Sequence, residues 1–144
     1  MQGRDASVRE CVQRSATIAS KSGAPEYLAT AQANHAWLAL REHDTETAAR
    51  EARAALVIWH GLSLVWPLQW LALLPLLQAT LADGHVEEAA KCAASLLDAT
   101  QQQLPSVTTA SFINAVAVWR AGCVAEARQS LADGLHALEG TVYA

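Results

Sequence analysis

The 144-residue sequence predicts an all-α fold built of antiparallel helix hairpins, and three observations carry that prediction. Alanine fills about a fifth of the chain, and alanine is the strongest helix former. No run alternates apolar and polar residues at period two for long enough to make a strand. The breakers recur in a fixed order. Pro25, Pro67 and Pro105 each open a long helix-compatible run, and 18, 17 and 17 residues later come turns at His43, Gly84 and Gly122. Proline suits a first helical position because its missing N–H would be unpaired there in any case.

The elements follow in order. An unpaired helix over 6–21 comes first, with Val8, Cys11, Val12, Ser15, Ala16 and Ala19 at helical spacing. Three hairpins follow over 25–60, 66–100 and 105–138, for about seven helices in one array spanning 1–144. Aligned on His43, Gly84 and Gly122, which stand 41 and 38 positions apart, the hairpins are self-similar. Five residues beyond each turn lies Ala48, Ala89 or Ala127. Seven further on lies Ala55, Leu96 or Gly134, each followed by leucine (Leu56, Leu97, Leu135). The incoming helices place Ala36, Leu77 and Ala115 at equivalent positions. Small residues at fixed offsets are what two helices need to approach closely, and a period near 40 marks a helical repeat.

These residues resemble the tetratricopeptide (TPR) repeat, in which a turn glycine is followed by alanines at fixed offsets on the second helix. The resemblance covers residues 25 to 138 and implies a right-handed superhelix of hairpins. It departs from the family at Leu77, Leu96 and His43, in the missing closing prolines, and in a longer period. A narrower likeness lies in Trp66-Pro67-Leu68-Gln69-Trp70-Leu71-Ala72-Leu73-Leu74-Pro75-Leu76-Leu77, with Leu96-Leu97-Asp98 and Gln101-Gln102-Gln103-Leu104-Pro105 after it. It resembles the C-terminal TPR-like region of bacterial AAA/STAND signalling ATPases linked to adenylate/guanylate cyclase or LuxR-type regulators. That likeness implies a non-catalytic protein–protein interaction or regulatory scaffold module within a bacterial signalling or transcriptional regulator.

Composition excludes other classes. Hydrophobic residues make up 52% and charged residues 17%, which is incompatible with intrinsic disorder. A net charge of −4 argues against direct nucleic-acid binding, which needs a basic footprint. Cys11, Cys92 and Cys123 are too far apart for a C-x-x-C site, and read as buried or half-buried free thiols in a reducing compartment. The first residues lack the apolar core of a signal peptide, so a cytoplasmic location is expected. Residues 61–82 carry no charge over 22 positions, enough to span a bilayer, and a membrane-anchored fragment is one alternative. Pro67, Pro75, Gln69, Gln78 and Thr80 within that stretch favour a helix buried between neighbours instead.

No phosphate-binding glycine loop and no G-x-S-x-G elbow occurs, so no catalytic residue is assigned and the chain reads as a non-enzyme. The histidines never pair at the i, i+4 spacing of a helical metal site, so no metal or cofactor is expected. His43 and His85 flank turns and should face solvent. His35 should be partly buried and hydrogen-bonded. Glu87 and Glu88 open a helix, where they oppose its dipole favourably. Trp59, Trp66 and Trp70 bracket the connection between the first two hairpins and read as core.

What remains is surface. The TPR resemblance puts a partner-binding groove on the first helices of the hairpins, at Trp37 and Arg41, then Leu74 and Gln78, then Phe112, Val116, Trp119 and Arg120. Trp and Arg are enriched at binding hot spots. The same face offers an alternative as a small-molecule-sensing pocket. The partner in the main reading is a protein or a neighbouring domain of a larger regulator. The array starts with an unpaired helix and reaches His136-Ala137-Leu138 without a polar cap, so self-association through open ends is a further expectation.

Overall fold

The computed structural model describes residues 2–141 and 143, and side chains from residue 9 onward except at positions 22 and 142. Among the described residues seven helices form: α1 (Gln2–Ser22), α2 (Pro25–Arg41), α3 (Thr45–His60), α4 (Trp70–Ala82), α5 (Val86–Leu96), α6 (Ser106–Arg120) and α7 (Val124–His136). No strand occurs among the described residues, and the all-α prediction stands.

The three hairpin turns share one backbone design. His43, Gly84 and Gly122 all take left-handed φ values, 61°, 82° and 84°. The next residue then donates its N–H back across the turn: Asp44 to the Ala39 carbonyl at 2.9 Å, His85 to Thr80 at 2.8 Å and Cys123 to Val118 at 2.9 Å. The left-handed residues themselves donate to Leu40, Leu81 and Trp119. This pair of bonds is the Schellman closure, which satisfies carbonyls that a helix end would otherwise leave unpaired. His43 does with a Cβ what the other two turns do with glycine.

The helix starts are less uniform. Pro25 is the first residue of α2, as expected, but Pro105 is the N-cap of α6 and α4 begins at Trp70, three residues after Pro67. A hydrogen-bonded turn over Pro67–Gln69 leads into α4 instead. Asp44 caps α3 by accepting from the Thr47 N–H at 2.9 Å, and that bond holds its carboxyl below the ordinary value.

Consecutive helices pack pairwise from α1 to α7. The small positions that recur along the sequence are the points of close approach: Ala36, Leu77 and Ala115, with Ala48, Ala89 and Ala127, are all 0% exposed. The helix α4 lies against α2, α3, α5 and α7, which explains why residues 61–82 need no charge. Within it Leu73, Leu74, Leu76, Leu77, Ala79 and Leu81 are all buried. Its 13 residues reach about 20 Å, short of the ~30 Å hydrocarbon core. No described helix is long and apolar enough to cross a membrane.

Register between hairpins changes along the chain. The first helices α2 and α4 pack on each other, as the repeat pattern implies. The third hairpin departs from that pattern, because α7 rather than α6 meets α4, and no approach of α6 to α4 occurs among the described residues.

The long connections are pinned to one another. Gln101 is buried; its side-chain oxygen accepts from the Gln69 N–H at 3.2 Å and its amide donates to the Trp66 carbonyl at 3.1 Å. The Gln102 N–H donates to the Pro67 carbonyl at 3.1 Å. Trp59, only 1% exposed, stacks on Trp66 with ring centroids 6.2 Å apart, so this pair is core as read from the sequence.

Three expectations need correction. Cys92 is buried, but Cys11 and Cys123 are exposed: Cys11 borders an open hollow between α1 and α2, and Cys123 is the N-cap of α7. Ser15 is also exposed, so α1 meets α2 through Val12 and Ala19 alone of the described positions assigned to its inner face, with Ala16 half-buried. The Val8 side chain lies outside the described ones. His35 is half-buried as expected, yet its Nε2 is buried without a hydrogen-bond partner among the described residues.

Candidate functional site

The packing of α2, α4 and the end of α7 leaves a groove of ≈ 580 Å³. One wall comes from α2, where Trp37, Leu40 and Arg41 follow one another at helical spacing. The floor is α4, with Leu74, Gln78 and Ala82 one turn apart. The far wall is Leu135 from α7 with Leu138, Glu139 and Tyr143 from the segment beyond it. His43 and Thr45 close one end at the first turn. Thr45 also ties the first turn to the second, donating to the Asp83 carboxylate at 3.0 Å.

Four of the eight groove residues read from the sequence therefore meet here: Trp37, Arg41, Leu74 and Gln78. The other four do not. Phe112 (0% exposed) and Val116 (6%) are core residues between α6 and α7. Trp119 lines a separate, polar depression with Arg53, Glu88 and Lys91, and Arg120 is exposed at the end of α6. The cause is the changed register of the third hairpin, which turns α6 away from α4 and brings the end of α7 to the groove. The residues that replace them, Leu135, Leu138 and Tyr143, carried little local signal. Leu135 stood in a recurring leucine slot, and Tyr143 lay beyond the last hairpin.

The groove is apolar in its depth and polar at its rim. Arg41 is exposed, has no ion-pair partner among the described residues and stands at a junction. With Trp37 it also lines a second depression, of ≈ 420 Å³, against Cys11, Val12 and Ser15 of α1. A Trp–Arg ridge thus separates two hollows, and an occupant of either would touch it. The carboxylate of Glu139 lies 3.2 Å from His136 Nδ1, an attraction that exists only when the histidine is protonated.

The depression around Trp119 is electrostatically self-contained. Arg53 on α3 forms a two-pronged bond to Glu88 on α5, at 2.8 and 2.7 Å, and Lys91 pairs with Glu87 at 2.6 Å. The Arg53 hydrogen bonds hold the Glu88 carboxyl below its ordinary range, and in return raise the guanidinium. Its charges are already matched, so it offers a charged ligand little.

The titratable side chains that line the groove are Arg41, His43, Glu139 and Tyr143. The remaining thiol of note, Cys92, is pushed up to about 12 by burial, with the Glu88 carboxylate adding to the effect, and the thiolate needed for chemistry is suppressed. Among the described residues no group of three His, Cys, Asp or Glu side chains is placed to hold a metal ion. No family model matches the chain, and no curated protein or solved structure matches it.

Proposed function

We propose that this chain is a non-catalytic interaction module, a TPR-like array that binds a protein segment in the groove between α2, α4 and the end of α7. The observation that carries this reading is the meeting of Trp37, Arg41, Leu74 and Gln78 in one groove, with half-buried Trp37 beside exposed Arg41. Tryptophan and arginine dominate binding hot spots because each joins large contact area to directional donors. The resemblance to bacterial AAA/STAND regulators makes the partner a signalling protein or a neighbouring domain of the same regulator, in the cytoplasm.

The test is a peptide selected by display against the purified chain. Trp37→Ala and Arg41→Ala should each weaken its affinity about tenfold, some 1.4 kcal/mol, while Trp119→Ala leaves it unchanged. Unchanged affinity in both groove variants overturns the reading.

A second reading takes the same groove as a small-molecule sensor. Its ≈ 580 Å³ falls within the ~300–1,000 Å³ of ligand pockets. A compound that raises the Tm of the wild-type chain and not of Trp37→Ala would favour it over peptide binding.

A further inference from the structure

The groove has a neighbour across α2. A second hollow, of ≈ 420 Å³, is lined by Cys11, Val12 and Ser15 of α1 and by Leu38 of α2, and Trp37 and Arg41 border both hollows. Each has a buried apolar wall, Leu74 at 1% exposure in the groove and Val12 at 8% in its neighbour. One helix separates them, and packed helices stand ~8–10 Å apart, so the two crevices lie about that far from each other. A peptide in the polyproline-II form returns a side chain to the same face every three residues, after about 9 Å. Two such side chains match the two hollows, whereas a compact small molecule fills one and leaves the other open.

Charge decides what lies between the two anchors. Arg41 is exposed and has no ion-pair partner among the described residues. Its neighbour Glu42 is already held by Arg9. The carboxylate that lines the groove, Glu139, stands on the far wall, 3.2 Å from His136 Nδ1. A guanidinium that borders both hollows is matched by a carboxylate passing from one to the other. We propose that the second hollow is a subsite of the groove. Together the two take a peptide with apolar side chains three residues apart and an Asp or Glu between them, seated across Trp37 with its carboxylate on Arg41. This rests on the reading of the groove as a peptide site, and names the chemistry of the peptide.

The test uses the full chain and a random octapeptide library displayed on phage, and then the enriched peptide labelled with fluorescein. Enriched sequences should carry two apolar residues three apart with an acid between them. Ser15→Trp, at an exposed position of the second hollow, should weaken the labelled peptide about tenfold with the helical circular dichroism signal unchanged. Arg41→Gln should weaken it about threefold, and should not weaken the same peptide with its acid replaced by the amide. The unsubstituted chain gives an independent reading. A chloroacetyl group in place of one of the two apolar side chains should alkylate Cys11 and spare Cys123, although both thiols are exposed. If Ser15→Trp lowers the helical signal, alkylation decides alone. Peptides that need Trp37 yet ignore Ser15→Trp and spare Cys11 overturn the second subsite and leave the groove reading standing. Enrichment without an acid, or equal loss for acid and amide, overturns the pairing with Arg41. A library that yields no binder overturns the groove reading and the subsite with it.

Discussion

Phe112 lies over Gly134 so closely that a Cβ at position 134 would stand 2.5 Å from the Phe112 ring. Position 134 is the third of a set whose other members are Ala55 and Leu96, and the only one where the opposing helix brings a phenyl ring. Phe112 is 0% exposed, and Ser111 Cβ stands 3.2 Å from the same point, so the ring would have to shift within the core to admit a side chain there. The glycine is therefore what lets α6 sit flat on α7.

Gly134→Ala should destabilise the chain, against the ~1 kcal/mol that alanine ordinarily contributes over glycine inside a helix. Overpacking costs about 1–3 kcal/mol and wins here. Urea denaturation checks it, and Phe112→Leu in the same chain should recover part of the loss. A variant more stable than the wild type would contradict the packing.

His43→Gly should stabilise the chain. A left-handed backbone costs a residue with a Cβ about 1–2 kcal/mol, and the added freedom of glycine in the unfolded state returns part of that. The expected net gain is ~0.5–1 kcal/mol, seen as a higher Tm. Gly84→Ala and Gly122→Ala should move Tm the other way, though open space surrounds both Cβ positions, because their φ values of 82° and 84° are the obstacle.

The bond between Arg53 and Glu88 should make stability depend on acid. Glu88 has a lower pKa folded than unfolded, so its contribution is present above its ordinary 4.5 and is lost as pH falls through the folded value. Side-chain exposures of 48% and 37% mean that solvent screens the pair. A double-mutant cycle should give about 0.5 kcal/mol at low salt and less at 1 M. Glu88→Gln should flatten the acid limb of the stability profile, and an unchanged limb would refute the coupling.

Thiol labelling of the native chain at pH 8 should modify two cysteines and spare one. Cys11 and Cys123 are exposed, whereas Cys92 is buried with its thiol pushed up to about 12. Denaturant should release the third thiol. Equal rates at all three sites would contradict the burial of Cys92.

Much of the fold was legible in the chain because its signals are local. The order and spacing of the breakers singled out the turns at His43, Gly84 and Gly122, and all three take the left-handed backbone that glycine tolerates best. Close helix approach needs a small or well-fitted residue, and all six recurring positions from Ala36 to Ala127 proved fully buried. The start of α4 was misplaced by three residues because Pro67 opens a turn as readily as a helix. Half of the groove was legible too, through Trp37, Arg41, Leu74 and Gln78, since α2 and α4 keep the spacing of a regular repeat.

The sequence by itself determined about seven helices, their order, the places of three turns and the inner positions at which neighbours meet. Only tertiary structure decided that α7, not α6, faces α4, and that Leu135, Leu138 and Tyr143 complete the groove in place of Phe112, Val116, Trp119 and Arg120. The reason is physical. Periodicity marks a face as apolar without saying which neighbour will cover it, and α6 is uncharged from Ser106 to Trp119. The fit of the Phe112 ring against Gly134 joins α6 to α7, and Tyr143 meets its partners 40 and 41 residues back along the chain; both are contacts that periodicity does not mark.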